Sequence, residues 1–125
     1  MKQWSKKWIK SKQKRKQRKY RFNAPLHIKR KFISVKLSKE LASKYKKRNI
    51  EIKKGDKVKI MRGSFKKQSG KIVKVNTRKS KIYIENIQNI RKDGTKNYYP
   101  MEPSNLMILE LNLDDKIRKQ ILERK

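Results

Sequence analysis

From Ile50 onward, apolar and polar residues alternate with a period of two. Val58 and Ile60 alternate with Lys57, Lys59 and Met61, Val73 and Val75 flank Lys74, and Ile82 and Ile84 flank Tyr83. Successive side chains of a strand point to opposite faces, so this pattern predicts short strands with one face buried. Turn signals separate them: Lys54-Gly55-Asp56, Arg62-Gly63-Ser64, Ser69-Gly70, Asn76 to Ser80, and Lys92-Asp93-Gly94-Thr95. Asp93-Gly94 is a hairpin signal, because a type I′ turn needs two residues that tolerate positive φ. Strands at this spacing predict a small antiparallel barrel over residues 50–113.

The flanks have a different rhythm. Asn23-Ala24-Pro25 is a turn, and Leu26, Ile28, Phe32, Ile33 and Val35 mark a short amphipathic segment after it. Ser38 predicts the N-cap of a helix through Arg48, with Glu40 in its first turn and Lys46, Lys47 and Arg48 in its last, the polarity that suits the helix dipole. Leu41 and Tyr45 form its apolar stripe. These features assign residues 23–49 to a basic extension with a short helix. Beyond Asp114-Asp115, the spacing of Ile117, Ile121 and Leu122 predicts a helix over 114–125 packed on the barrel. Residues 1–22 show no such pattern. A run such as Lys12 to Lys19 lacks the apolar positions that would offset its ordering entropy, so an extended arm, disordered without a polyanion, is expected there.

Charge then changes the picture. The 125 residues carry 40 Lys and Arg against 10 Asp and Glu, a net charge of +30. Residues 1–50 hold 20 basic residues and one acid, Glu40, whereas residues 101–125 hold five of each. A chain so charged calls for a polyanionic partner. With no Cys, disulfide scaffolds and thiolate chemistry are excluded. The longest apolar run, Leu106 to Leu109, is far short of the ~20 residues that span a bilayer, and the N-terminus lacks the apolar stretch of a signal peptide. His27 is the only His, Asp114 and Asp115 diverge on a helix, and the glycines fit neither a dinucleotide nor a P-loop pattern. No enzyme, metal or cofactor is expected.

Basic residues interleaved with aromatics point towards RNA. Trp4, Trp8, Tyr20 and Phe22 sit among the arm's cations, placed either to stack on bases or to pin the arm to its own domain. In the loop from Arg62 to Lys71, Gly63 and Gly70 either let the backbone approach a phosphate or serve as plain turn residues. Phe65 at its tip either stacks on a base or folds back. His27 either hydrogen-bonds RNA or packs.

The stretch Lys54 to Val75 resembles a KOW motif, found in ribosomal proteins and transcription elongation factors. Together with Arg21 to Lys31, Leu37 to Leu41 and Tyr99 to Ile108, it is similar to the KOW-containing large-subunit ribosomal protein twenty-four family, in its archaeal and eukaryotic form with a basic N-terminal extension. Lys67 departs from the pattern, standing where the family's loop usually has Gly. The resemblance implies a mainly β, SH3-like barrel bound to large-subunit rRNA in the cytoplasmic ribosome, beside other large-subunit proteins. It also implies an early assembly role and a place near the peptide exit tunnel. Neither a membrane nor a small-molecule substrate is implied as a partner.

On that reading Lys14, Arg15, Lys16, Arg18, Lys19 and Arg21 meet rRNA phosphates, and His27, Lys29, Arg30, Lys31 and Lys36 continue the contact. Arg62, Gly63, Phe65, Lys66, Lys67, Gly70 and Lys71 of the loop, with Arg78, Lys79 and Lys81 of a hairpin tip, grip a second RNA surface. The alternative is a KOW module of a transcription-elongation or chromatin protein, for which the basic arm is superfluous.

Overall fold

A computed structural model describes residues 4–5, 7–8 and 10–124. Three helices and a strand come first: α1 (Lys14–Asn23), α2 (Leu26–Phe32), β1 (Ser34–Leu37) and α3 (Lys39–Tyr45). Strands β2 (Asn49–Glu51), β3 (Lys57–Ile60), β4 (Ser69–Asn76), β5 (Lys81–Ile84), β6 (Gln88–Ile90) and β7 (Lys96–Tyr98) follow. A 3₁₀ turn (Pro103–Asn105) leads into β8 (Leu106–Glu110), and α4 (Lys116–Glu123) is the last element.

The period-two pattern became strands with the expected faces. In β3 and β5 burial alternates, with Val58, Ile60, Ile82 and Ile84 fully inside. In β4 the phase slips: Ile72 pairs with Ile84, but Lys74 pairs with Tyr83, leaving Val73 as a bulge. The inward residues are therefore Ile72, which is buried, and Val75, which packs on the core, not Val73.

The sheet is not purely antiparallel. Its order is β2-β1-β8-β3-β4-β5, β1 and β8 pair in parallel, and among the described residues this order does not close into a ring. The sheet also starts earlier than Ile50, because Val35 and Leu37 of β1 are buried beside β8. A separate two-stranded sheet, β6–β7, is closed by a longer turn than type I′. Only Gly94 has positive φ (86°), Arg91 N–H donates to the Thr95 carbonyl (2.9 Å), and Asp93 accepts from Thr95 N–H (3.0 Å) and hydroxyl (2.7 Å). Those two bonds hold the Asp93 carboxyl below its ordinary pKa.

The helices bring three corrections. Residues 14–23 form α1, so this part of the chain is helical and not extended. Ser38 caps α3 as expected, accepting from Leu41 N–H (3.4 Å), but the helix stops at Tyr45 because Lys46 turns left-handed (φ 54°). In α4 the inward residues are Leu122 and Arg118; Ile117 (66% exposed) and Ile121 face outward.

Arg118 sets that orientation. Its guanidinium, 2% exposed, makes two 2.6 Å bonds to the fully buried Asp56 carboxylate, and donates to the Asn112 (2.8 Å) and Glu51 (3.2 Å) carbonyls. Asp56 also accepts from the backbone N–H groups of Lys53 (3.0 Å) and Asn112 (2.8 Å). At the start of α4, Asp115 caps Ile117 N–H (2.9 Å) and pairs with Lys53; the Lys53 ammonium, then the Ile117 N–H, hold the Asp115 carboxyl below its ordinary pKa.

Gly70 lies within β4, paired with Val58. A Cβ there would sit 2.8 Å from the Glu85 carbonyl oxygen and 2.9 Å from Ile84 Cγ2. Backbone cannot yield as a flexible side chain does, so Gly70→Ala is expected to cost about 1–3 kcal/mol. A urea denaturation midpoint matching the parent's would show that the strands part without strain.

Candidate nucleic-acid interface

The expected cations do not share one fate. Lys14, Arg15, Lys16, Arg18, Lys19 and Arg21 are all exposed on α1, a helix that contains no acid and buries no residue. Three cations in its first turn oppose the dipole, and Gln13 offers no side-chain cap. With only Tyr20 of its ten residues half-buried, α1 is a marginal helix in water, so an anion along it would stabilise it.

On α2, His27 and Lys31 are exposed, but Lys29 is buried, its ammonium 5.6 Å from the Phe22 ring centroid. That burial removes Lys29 from the exposed cations. Arg30 pairs with Glu51 (2.8 Å), and Lys36 stands exposed on β1.

The β3–β4 loop presents Arg62, Gly63, Lys66 and Lys67 to solvent, with Lys71 exposed on β4. Gly63 has φ 96° with nothing within 4 Å of where a Cβ would stand, so the backbone bend alone requires it. Lys67 occupies the left-handed region (φ 75°), the conformation glycine takes without penalty. Its amide N–H donates to the Ile60 carbonyl (2.9 Å), which closes the loop despite the missing glycine. Phe65 folds back against Tyr99, ring centroids 5.2 Å apart, and packs on the core. Gly70 is filled round by β5, so its reason is packing and not approach to a phosphate. At the β4–β5 turn Arg78 and Lys79 are exposed, with Lys79 N–H bound to Asn76 (3.1 Å), while Lys81 pairs with Glu102.

The arm's aromatics mostly turn inward. Trp8 stacks on Tyr20 (4.4 Å), Trp4 lies tilted against the same ring (5.1 Å), and Tyr20 approaches Phe32 (6.3 Å). Phe22 is the exception, at 80% exposed.

Two surface depressions share Glu102 as a wall. One adjoins Arg21, Tyr20 and Ser80; the other adjoins Arg62, Gly63, Phe65 and Lys81. The end of α1, the β4–β5 turn and the β3–β4 loop are thus neighbours around Glu102. Sequence reasoning missed Arg48 as a surface cation. Its position reads as a helix end, but after α3 stops early it flanks Lys36 beside β1. Sequence reasoning also missed Arg91, Lys92 and Lys96, all exposed on the β6–β7 hairpin. Among the described residues, no helix is long and apolar enough to cross a membrane.

Comparison with known proteins shows the family. A family model described as eukaryotic ribosomal protein L26 and its archaeal counterpart, ribosomal protein number 24, matches residues 11–125. A protein of Methanothrix thermoacetophila, described as large ribosomal subunit protein uL24, is 47% identical over 114 residues, which is 91% of this chain and 98% of that protein.

Proposed function

The chain belongs to the family of ribosomal proteins that comprises eukaryotic L26 and its archaeal counterpart, and from that premise we propose a non-catalytic scaffold of the large ribosomal subunit that binds large-subunit rRNA. The observation that carries the RNA-binding part is α1, a helix with six exposed cations, no acid and no fully buried residue. Phosphates would neutralise it, each contact releasing counterions. The loop cations Arg62, Lys66, Lys67 and Lys71, and the turn cations Arg78 and Lys79, form the second grip on RNA. His27, Lys31 and Lys36 link the two. Lys81 and Arg30, already paired with Glu102 and Glu51, would have to exchange partners and contribute less.

An SH3-like barrel belongs to the same reading. Ile82 and Met101 exchange backbone hydrogen bonds (3.0 and 2.8 Å), and the chain runs from Met101 through the 3₁₀ turn into β8, which pairs with β3. This supports a nearly closed β3-β4-β5-β8 unit, a stiff holder for its loops. The family also supports a place in the ribosome beside other large-subunit proteins, an early assembly role and proximity to the exit tunnel.

A competition titration tests the reading. Labelled large-subunit rRNA fragments compete against duplex DNA of equal length, from low salt to above physiological. One rRNA fragment is expected to remain bound at salt that releases the DNA. Release of both along one steep line would mean charge without recognition, and would favour an elongation or chromatin module.

A further inference from the structure

A groove runs between the N-terminal segment and the β1 side of the sheet. Its first half is the depression walled by Trp8, Tyr20 and Phe32, with Lys10 and Arg21 at its rim. Its second half lies beside Lys36, Arg48 and Asn49. The halves share Ser34 and Ser104, so they form one path along the 3₁₀ turn. Aromatic rings line one end, cations line both, and hydroxyls mark the middle.

The charge in the groove is one-sided. Its one lining carboxylate is Glu102, which is engaged by Lys81. Lys10, Arg21, Lys36 and Arg48 form none of the ion pairs made among the described residues.

We infer that this groove holds an unpaired stretch of RNA, with a base against the Trp8–Tyr20 pair and flanking phosphates on Arg21, Lys36 and Arg48. A duplex keeps its bases stacked inside and could satisfy only the cations, whereas a single strand can place a base on an aromatic face. The inference rests on the RNA-binding reading and specifies one site within it.

The protein's two tryptophans, Trp4 and Trp8, both lie in this cluster, so intrinsic fluorescence reports the groove directly. The full chain is titrated with a single-stranded oligouridylate and, separately, with an RNA duplex of equal phosphate number. The single strand is expected to quench tryptophan emission and the duplex to bind without quenching. Lys36→Ala with Arg48→Ala, placed away from the aromatic end, is expected to weaken the single strand roughly tenfold or more near 0.1 M salt, with a salt slope lower by about 1.4. A duplex that meets these two cations loses affinity as well, so the quench, and not the affinity alone, separates the two RNAs. Trp8→Phe, which preserves an apolar ring, should keep binding but lose part of the quench. If the duplex binds and the single strand neither quenches nor responds to the double variant, the groove is only the seam that holds the arm, and RNA binding stands elsewhere. If neither RNA binds, the functional reading itself fails.

Discussion

Asp56→Ala is expected to lower the unfolding free energy by about 3–5 kcal/mol, the usual cost of leaving a buried partner charge uncompensated. The substitution strands the Arg118 guanidinium, 2% exposed, with only the Asn112 and Glu51 carbonyls as acceptors, and its Nε already has none. It also removes the acceptor that ties together the amides of Lys53 and Asn112. One carboxylate thereby joins the β2–β3 turn, the end of β8 and α4. Small domains have about 5–15 kcal/mol of stability in total, so this loss would consume a large fraction. Arg118→Met should be comparably harmful alone, since it isolates the Asp56 carboxylate. Combining Arg118→Met with Asp56→Leu should recover part of the loss, because no unpaired charge then remains. Urea denaturation of the parent, Asp56→Leu, Arg118→Met and the double variant reads the coupling. Additive single losses would mean that the two side chains do not act as a pair.

Replacing Lys14, Arg15, Lys16, Arg18, Lys19 and Arg21 together by Gln should have the largest effect on binding. At a slope change of about 0.7–0.9 per phosphate contact, six contacts correspond to roughly 10⁴-fold lower rRNA affinity near 0.1 M salt. Gln is a good helix former, so the loss would come from charge and not from a broken helix. The plot of log K against log salt should flatten by about 4–5 units. An unchanged slope would show that α1 does not touch phosphate, and would move the interface to the loop cations Arg62, Lys66, Lys67 and Lys71.

Local signals in the sequence held where a rule of spacing was at work. Val58, Ile60, Ile82 and Ile84 are buried as the alternation requires, and Ser38 caps its helix. What escaped were features set by tertiary pairing. The β4 bulge moves burial from Val73 to Ile72, yet no residue in that strand announces an extra position. Arg118 reads as a polar helix residue until Asp56, 62 positions away, is placed against it. Ile117 and Ile121 are then carried outward by the rotation that this pair imposes. The parallel pairing of β1 with β8 was equally invisible, because Val35 and Leu37 are too few to show a period.

At the candidate interface, charge was legible and partnership was not. Exposed cations on α1 and the loops followed from composition, but the burial of Lys29 and the ion pairs of Arg30 and Lys81 depend on neighbours distant in sequence. Lys67 was visible as a departure from a family pattern, and its positive φ shows that the loop keeps its bend without glycine. A non-glycine residue there carries a strain of about 1 kcal/mol, offset by the rest of the loop.

The β1–β8 pairing also orders events during synthesis. Lys36 and Leu37 pair with Met107 and Ile108, about 70 residues later, so β1 has no partner on that side until those residues have been made. Chains are made from the N-terminus, and contacts so distant in sequence form late. Residues 1–50 hold 20 basic residues and one acid, and while they emerge no completed sheet shelters them. A newly made chain is therefore a cationic peptide before it is a folded domain, and its earliest encounters are governed by whatever polyanion is nearest.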